Sequence, residues 1–152
     1  MATSPAAVAA PSPAPVPLHI EWGAALVEHL HNKIVHFPIA LGVAAAVILL
    51  VSPRWPQYDA AARALLVAAA VFSLAAYFTG DAQKRPFWGT PLWGIADIHE
   101  QLGIVTTIAL CLGVVLTPLR PVKRWLWVYA IVLIALISAT GLVGGVLAHT
   151  EI

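Results

Sequence analysis

Four long stretches of the chain carry no charged residue: Ile34 to Pro53, Ala64 to Gly80, Gln101 to Leu119 and Trp125 to Thr150. Each approaches or exceeds the about 17–25 residues that a helix needs to cross a hydrocarbon layer of roughly 30 Å. They are apolar on every side and rich in Ala, Leu, Val and Ile, whereas a transmembrane barrel needs strands of alternating character. The expected fold is all-α, an integral membrane up-down four-helix transmembrane bundle, with spans at about 33–52, 62–80, 98–119 and 124–149. A composition that is 61% hydrophobic and 10% charged lies far from that of a soluble domain.

The segment before the first span divides in two. Residues 1–20 hold five of the prolines and no Lys or Arg, which reads as a disordered Ala/Pro-rich tail rather than a secretory signal. Residues 21–30 have the pattern of a short interfacial helix, and residues 31–152 form the membrane domain. The single cysteine, Cys111, lies mid-span and supports neither a disulfide framework nor covalent haem attachment. A net charge of +1 without a basic stripe argues against nucleic acid as a partner.

The short connections near Ser52–Ala61 and Thr117–Arg124 imply two helical hairpins. The face bearing those two connections holds Arg54, Arg63, Arg120, Lys123 and Arg124, against Lys33, Lys84 and Arg85 on the opposite face. By the positive-inside rule both termini are expected outside, with the chain in a bacterial inner (plasma) membrane. All six histidines (His19, His29, His31, His36, His99 and His149) fall on that outer face, together with most of the acids. The long connection "DAQKRPFWGTPLWGIA" also lies there, its aromatics suited to anchor at the headgroup level.

Local signals refine the helix ends. Asp97 and Glu100 have capping-box spacing, which predicts that the third helix starts at His99. Asn32 is the expected N-cap of the first, with His31 just outside at the surface and His36 a turn inside. Pro38 has no amide to offer the Ile34 carbonyl, so a local break is expected beside His36. The hairpins share a weak repeat, pairing His36 and Thr79-Gly80 with His99 and Thr140-Gly141.

A histidine cluster at one end of a bundle, flanked by small residues, suits a b-type haem held without covalent attachment. His36 and His99 are the expected axial pair, with His149 third and His31 a further metal-ligand candidate. Gly103, Gly141 and Gly145 would let a macrocycle approach, although Gly141-x-x-x-Gly145 is equally a common helix-packing contact. Two alternatives remain open: a copper or zinc site combining histidine with Asp81 or Glu100, or no cofactor in a subunit that scaffolds a larger membrane complex. Either way the chain reads as an electron-transfer or accessory subunit rather than a stand-alone enzyme. Its expected partners are the lipid bilayer, a quinol or a cytochrome, and a larger complex or a homo-oligomer.

At "HNKIVHFPIAL", "TGDA", "HEQLG" and "ATGLVGGVLAH" the chain resembles a family of uncharacterised small bacterial four-helix membrane proteins with a Val-His-Phe-Pro motif. The resemblance covers residues 31–150 and carries over His31, His36, His99, Gly141, Gly144, Gly145 and His149 as motif positions. Asn32, Leu142 and Thr150 replace a proline, a histidine and a glycine of the family pattern. The family implies a four-helix membrane fold and no settled activity.

Overall fold

The computed structural model describes residues 30–150; the tail, residues 21–29 of the interfacial segment, His19 and His29 lie outside them. Five α-helices follow one another: α1 (Leu30–Ile34), α2 (His36–Val51), α3 (Asp59–Lys84), α4 (Trp93–Leu116) and α5 (Leu126–His149). The described residues contain no strand. Four helical stretches, Leu30–Val51, Pro56–Phe87, Trp93–Leu116 and Pro121–His149, are long and apolar enough to cross a membrane.

Pro38 leaves its mark where expected. Without its amide the Ile34 carbonyl lacks its ordinary helical donor, and the helix is interrupted at Val35 between α1 and α2. The bond from the Ile39 amide to the Val35 carbonyl is stretched to 3.4 Å. The other breaks are 3₁₀ turns at Pro56–Tyr58, Arg85–Phe87 and Arg120–Trp125, each with a proline in its first positions, where a missing amide costs nothing. Between α3 and α4 the chain reverses through Gly89, whose φ of 77° is left-handed and unfavourable for a side-chain-bearing residue.

Two helix starts differ from the sequence expectation. Asn32 lies inside α1 rather than capping it. The third of the four long helices, α4, begins at Trp93 rather than at His99, without a side-chain cap, so Asp97 and Glu100 sit within it rather than forming a capping box. The reason is a long-range partner: Lys84, at the end of α3, donates to Asp97 Oδ1 at 2.8 Å and to Glu100 Oε2. A cation shared by both carboxylates holds them more strongly than first-turn amides would.

The helices form a ring. The first span (α1 and α2) packs on α3 and α5, and α4 packs on the same two, leaving the first span and α4 diagonal to one another. Each helix turns one narrow seam inward with 3–4 spacing: Pro38, Gly42, Ala45 and Leu49 on α2; Ala62, Leu66, Ala69, Ser73 and Ala76 on α3. Ala96, Thr106, Leu110 and Gly113 on α4, with Leu126, Ala130, Leu133 and Ile137 on α5, complete the interior.

The two halves of the interior differ. Leu49, Leu66, Leu110 and Leu133, one from each span, are the largest fully buried side chains and belong to one cluster. They lie toward the end that carries the α2–α3 and α4–α5 connections. There Gly113 admits the Tyr129 ring, which donates to the Ala109 carbonyl at 2.9 Å; an added Cβ would stand 2.7 Å from Tyr129 Cζ. The opposite half is lined by small and hydroxyl-bearing residues. Ser73 Oγ lies 2.5 Å from Thr107 Oγ1, and Thr106 Oγ1 lies 2.9 Å from Thr140 Oγ1.

Lys123 pairs with Asp59 at 2.5 Å, tying the connection before α5 to the start of α3. Both side chains are substantially exposed, so Asp59→Asn is expected to change the free energy of unfolding by no more than about 1 kcal/mol. A larger loss in a detergent unfolding titration would mean that the pair organises this end of the bundle.

Candidate functional site

The half lined by small residues contains two histidines that face one another. His31 lies seven residues before Pro38 and so continues the inward seam of the first span, while His99 lies between Ala96 and Gly103 on the inward seam of α4. These two elements are diagonal in the ring, so both imidazoles project toward its centre. Their ring centroids are 6.4 Å apart and their planes cross at 88°.

Both rings are held in the same way. His31 Nδ1 donates to the Ala76 carbonyl at 2.8 Å, with Thr79 Oγ1 at 3.3 Å as a second acceptor. His99 Nδ1 donates to the Thr140 carbonyl at 3.1 Å. A carbonyl oxygen only accepts, so Nδ1 must carry the hydrogen on each ring, and in the neutral imidazole Nε2 then keeps its lone pair. Among the described residues neither Nε2 has a hydrogen-bond partner.

Each ring also rests on a glycine four residues beyond its carbonyl acceptor. A Cβ added at Gly80 would stand 3.0 Å from His31 Cε1, and one added at Gly144 would stand 2.7 Å from His99 Cε1. The two hairpins thus repeat one device: a histidine on the first helix, a carbonyl and a glycine one turn apart on the second. The correspondence runs His31, Ala76, Gly80 to His99, Thr140, Gly144, correcting the repeat expected between His36 and His99.

Several expected site residues lie elsewhere. His36 is exposed on the outside of the bundle and His31 points inward, the reverse of the sequence reading. The reason is angular: five residues rotate a helix by about 140° from His31, away from the seam that Pro38, Gly42 and Ala45 define. His149 is exposed and its Nδ1 bonds to the Gly145 carbonyl of its own helix at 2.8 Å. Gly141 and Gly145 line an outward-facing apolar groove of about 700 Å³ with Ile39, Val43 and Ile137, rather than the imidazoles. Gly103 does occupy the inward seam one turn below His99, and nothing lies within 4 Å of where its Cβ would be.

The carboxylates are engaged in ion pairs. Asp81 accepts from Arg85 at 2.9 Å on the surface, and Glu100 shares Lys84 with Asp97, which also accepts from Gln101 at 2.7 Å. Lys84 further lies 4.5 Å from the centre of the Trp93 ring, which meets Trp88 edge-on. Among the described residues no group of three or more His, Cys, Asp or Glu side chains is placed to hold a metal ion. The expected histidine–carboxylate metal set is therefore not assembled there. What the fold does assemble is a pair of imidazoles.

The structure adds the Ala76 carbonyl and Gly80 to the residues around the pair. The carbonyl of Ala76 leaves no trace in side-chain identity, but the positions of Gly80 and Gly144 are readable: Gly80 continues the inward 3–4 seam of α3 one step beyond Ala76, and Gly144 continues that of α5 two steps beyond Ile137, through Thr140. No family model, curated protein or solved structure matches the chain.

Proposed function

We propose that the protein is a membrane-embedded electron-transfer subunit that binds a b-type haem between His31 and His99. The observation that carries this reading is the opposed pair itself. The 6.4 Å between the ring centroids is a separation at which both imidazoles could hold one metal with nitrogens at about 2.0–2.1 Å from it, so His31 and His99 are the residues that would hold the haem. Donation from Nδ1 to a backbone carbonyl fixes the ring and raises its basicity, as ligating histidines commonly require. The lining of Gly103, Ser73, Thr106 and Thr140 keeps bulky side chains away from the pair's half of the interior.

When bound, a haem with both axial positions filled supplies one-electron transfer without an open site for substrate. The chain's own part is to present two imidazoles and keep their orientation. The leucine-packed half isolates that position from the opposite face, so the exchange partner, a quinol or a cytochrome, approaches from the histidine-bearing face.

The bilayer itself is supported by what the bundle leaves uncovered. Phe78 is 75% exposed, Leu142 74% and Val71 60%, an outward surface that water would not tolerate over four helices. Arg54, Lys123 and Arg124 at the opposite end support, by the positive-inside rule, a reading in which that end is cytoplasmic and the histidine end lies outside a bacterial inner membrane.

An optical spectrum of the purified protein after titration with haem tests the proposal. A low-spin spectrum with a Soret band, saturating at one haem per chain, is expected. A colourless protein that binds copper would move the pair to a metal site, and one that binds neither would leave a non-catalytic scaffold subunit.

A further inference from the structure

We infer that Gly80 and Gly144, with the carbonyls of Ala76 and Thr140, act as positioning residues that hold the His31 and His99 ring planes crosswise and so set the electronic state of a haem bound between them. The inference rests on the haem reading above and adds a property that haem binding alone does not require. Rotation of an axial imidazole about its bond to a metal is soft, so its plane is decided by what the protein does to the rest of the ring. Here two contacts act on each ring. Nδ1 is aimed at a carbonyl, at 2.8 Å for His31 and 3.1 Å for His99. The ring carbon Cε1 lies against bare glycine backbone, where a methyl group would come within 3.0 Å at Gly80 and 2.7 Å at Gly144.

The repeated device is built by two hairpins, and the planes it produces cross at 88°. An axial imidazole donates π-density into the one metal orbital of matching symmetry. Two parallel imidazoles therefore raise the same orbital and split it from its partner, whereas two crossed imidazoles raise both equally and leave them nearly degenerate. In the oxidised low-spin state, near-degeneracy gives an electron paramagnetic resonance spectrum dominated by a single feature at large g. Parallel planes give a three-line rhombic spectrum.

The test is that spectrum, recorded on the full-length, haem-loaded protein in detergent and on four glycine variants. The wild type should show the large-g feature. Gly144→Ala, whose methyl group meets Cε1, Nδ1 and Nε2 of His99 at 2.7, 3.2 and 3.4 Å, should lose it in favour of a rhombic spectrum while still binding haem. Gly80→Ala, with 3.0 Å to Cε1, should shift it in the same sense by less. Gly141→Ala and Gly145→Ala, which meet nothing within 4 Å, should leave it in place. A haem-loaded wild type with a rhombic spectrum would overturn the crosswise assignment while leaving haem binding intact. So would an unchanged spectrum in both Gly144→Ala and Gly80→Ala. If Gly144→Ala fails to fold, the wild-type spectrum and Gly80→Ala still decide. A wild type that takes up no haem overturns both readings, and its lack of colour distinguishes that outcome from a failure of orientation alone.

Discussion

On the proposed haem reading, His31→Ala and His99→Ala should each weaken haem binding by at least about 100-fold and abolish the low-spin spectrum, because each would remove one of the two proposed ligands outright. Loss of a mere supporting contact to a ligating histidine already costs about 10- to 100-fold. His36→Ala and His149→Ala should leave the spectrum unchanged, since His36 is exposed outside the bundle and His149 bonds only within its own helix. The comparison is pointed because His31 and His36 lie on the same span, in a stretch where sequence alone favours His36. Absorbance per protein, measured after haem titration of the four variants, separates the assignments. Colour that survives in His31→Ala and disappears in His36→Ala would return the axial role to His36.

The second large effect concerns the other half of the bundle. Leu66 and Leu110 are 0% exposed and belong to the cluster that joins all four spans. Replacing either with alanine removes three carbons from a packed site that the surrounding helices cannot fully collapse around, so a loss of about 2–5 kcal/mol is expected. Leu142→Ala, at a position 74% exposed, should cost far less, because its side chain faces outward with or without the truncation. Helical signal followed through an SDS titration in mixed micelles measures the difference. Equal losses at Leu110 and Leu142 would show that the leucine cluster is not what holds the helices together.

The two predictions sample the two halves that the seams define. Toward the α2–α3 and α4–α5 connections the seam positions are filled by leucines; toward the histidine end the same seams read Ser73, Ala76, Gly80, Gly103, Thr106, Thr140 and Gly144. Packing density is thus traded between the halves: one is closed by large apolar side chains, the other left with small ones and hydroxyl pairs. In a bilayer, where lipid competes for apolar contact, such small residues and hydroxyl contacts also bring helices close.

Much of the fold was legible from local pattern. Four apolar stretches, prolines at the breaks and short connections determine the helix count and their antiparallel order, since a backbone deprived of water must bond within its own segment. The break beside Pro38 was equally readable, because it follows from one missing amide. Local pattern suggests a capping box because Asp97 and Glu100 carry the right spacing, and nothing within ten residues shows that Lys84 will claim both carboxylates. The pairing of the histidines is legible only in part: the start of the third span points to His99, whereas the Val-His-Phe-Pro motif points to His36 rather than to His31. The seam through Pro38, Gly42, Ala45 and Leu49, extended back seven residues, would have selected His31.

By itself, then, the sequence determined that the chain forms four long apolar helices in up-down order, with His31, His36, His99 and His149 gathered at one end, because hydrogen bonding and hydropathy act along the chain. Only the tertiary structure decided which histidine faces which. That choice depends on how the first span and α4 are rotated within the ring, and the rotation is set by contacts between helices: Gly80 and Gly144 against imidazole, and Lys84 across to Asp97 and Glu100. A rotation of about 140° on one helix exchanges His31 for His36 without altering a single local signal.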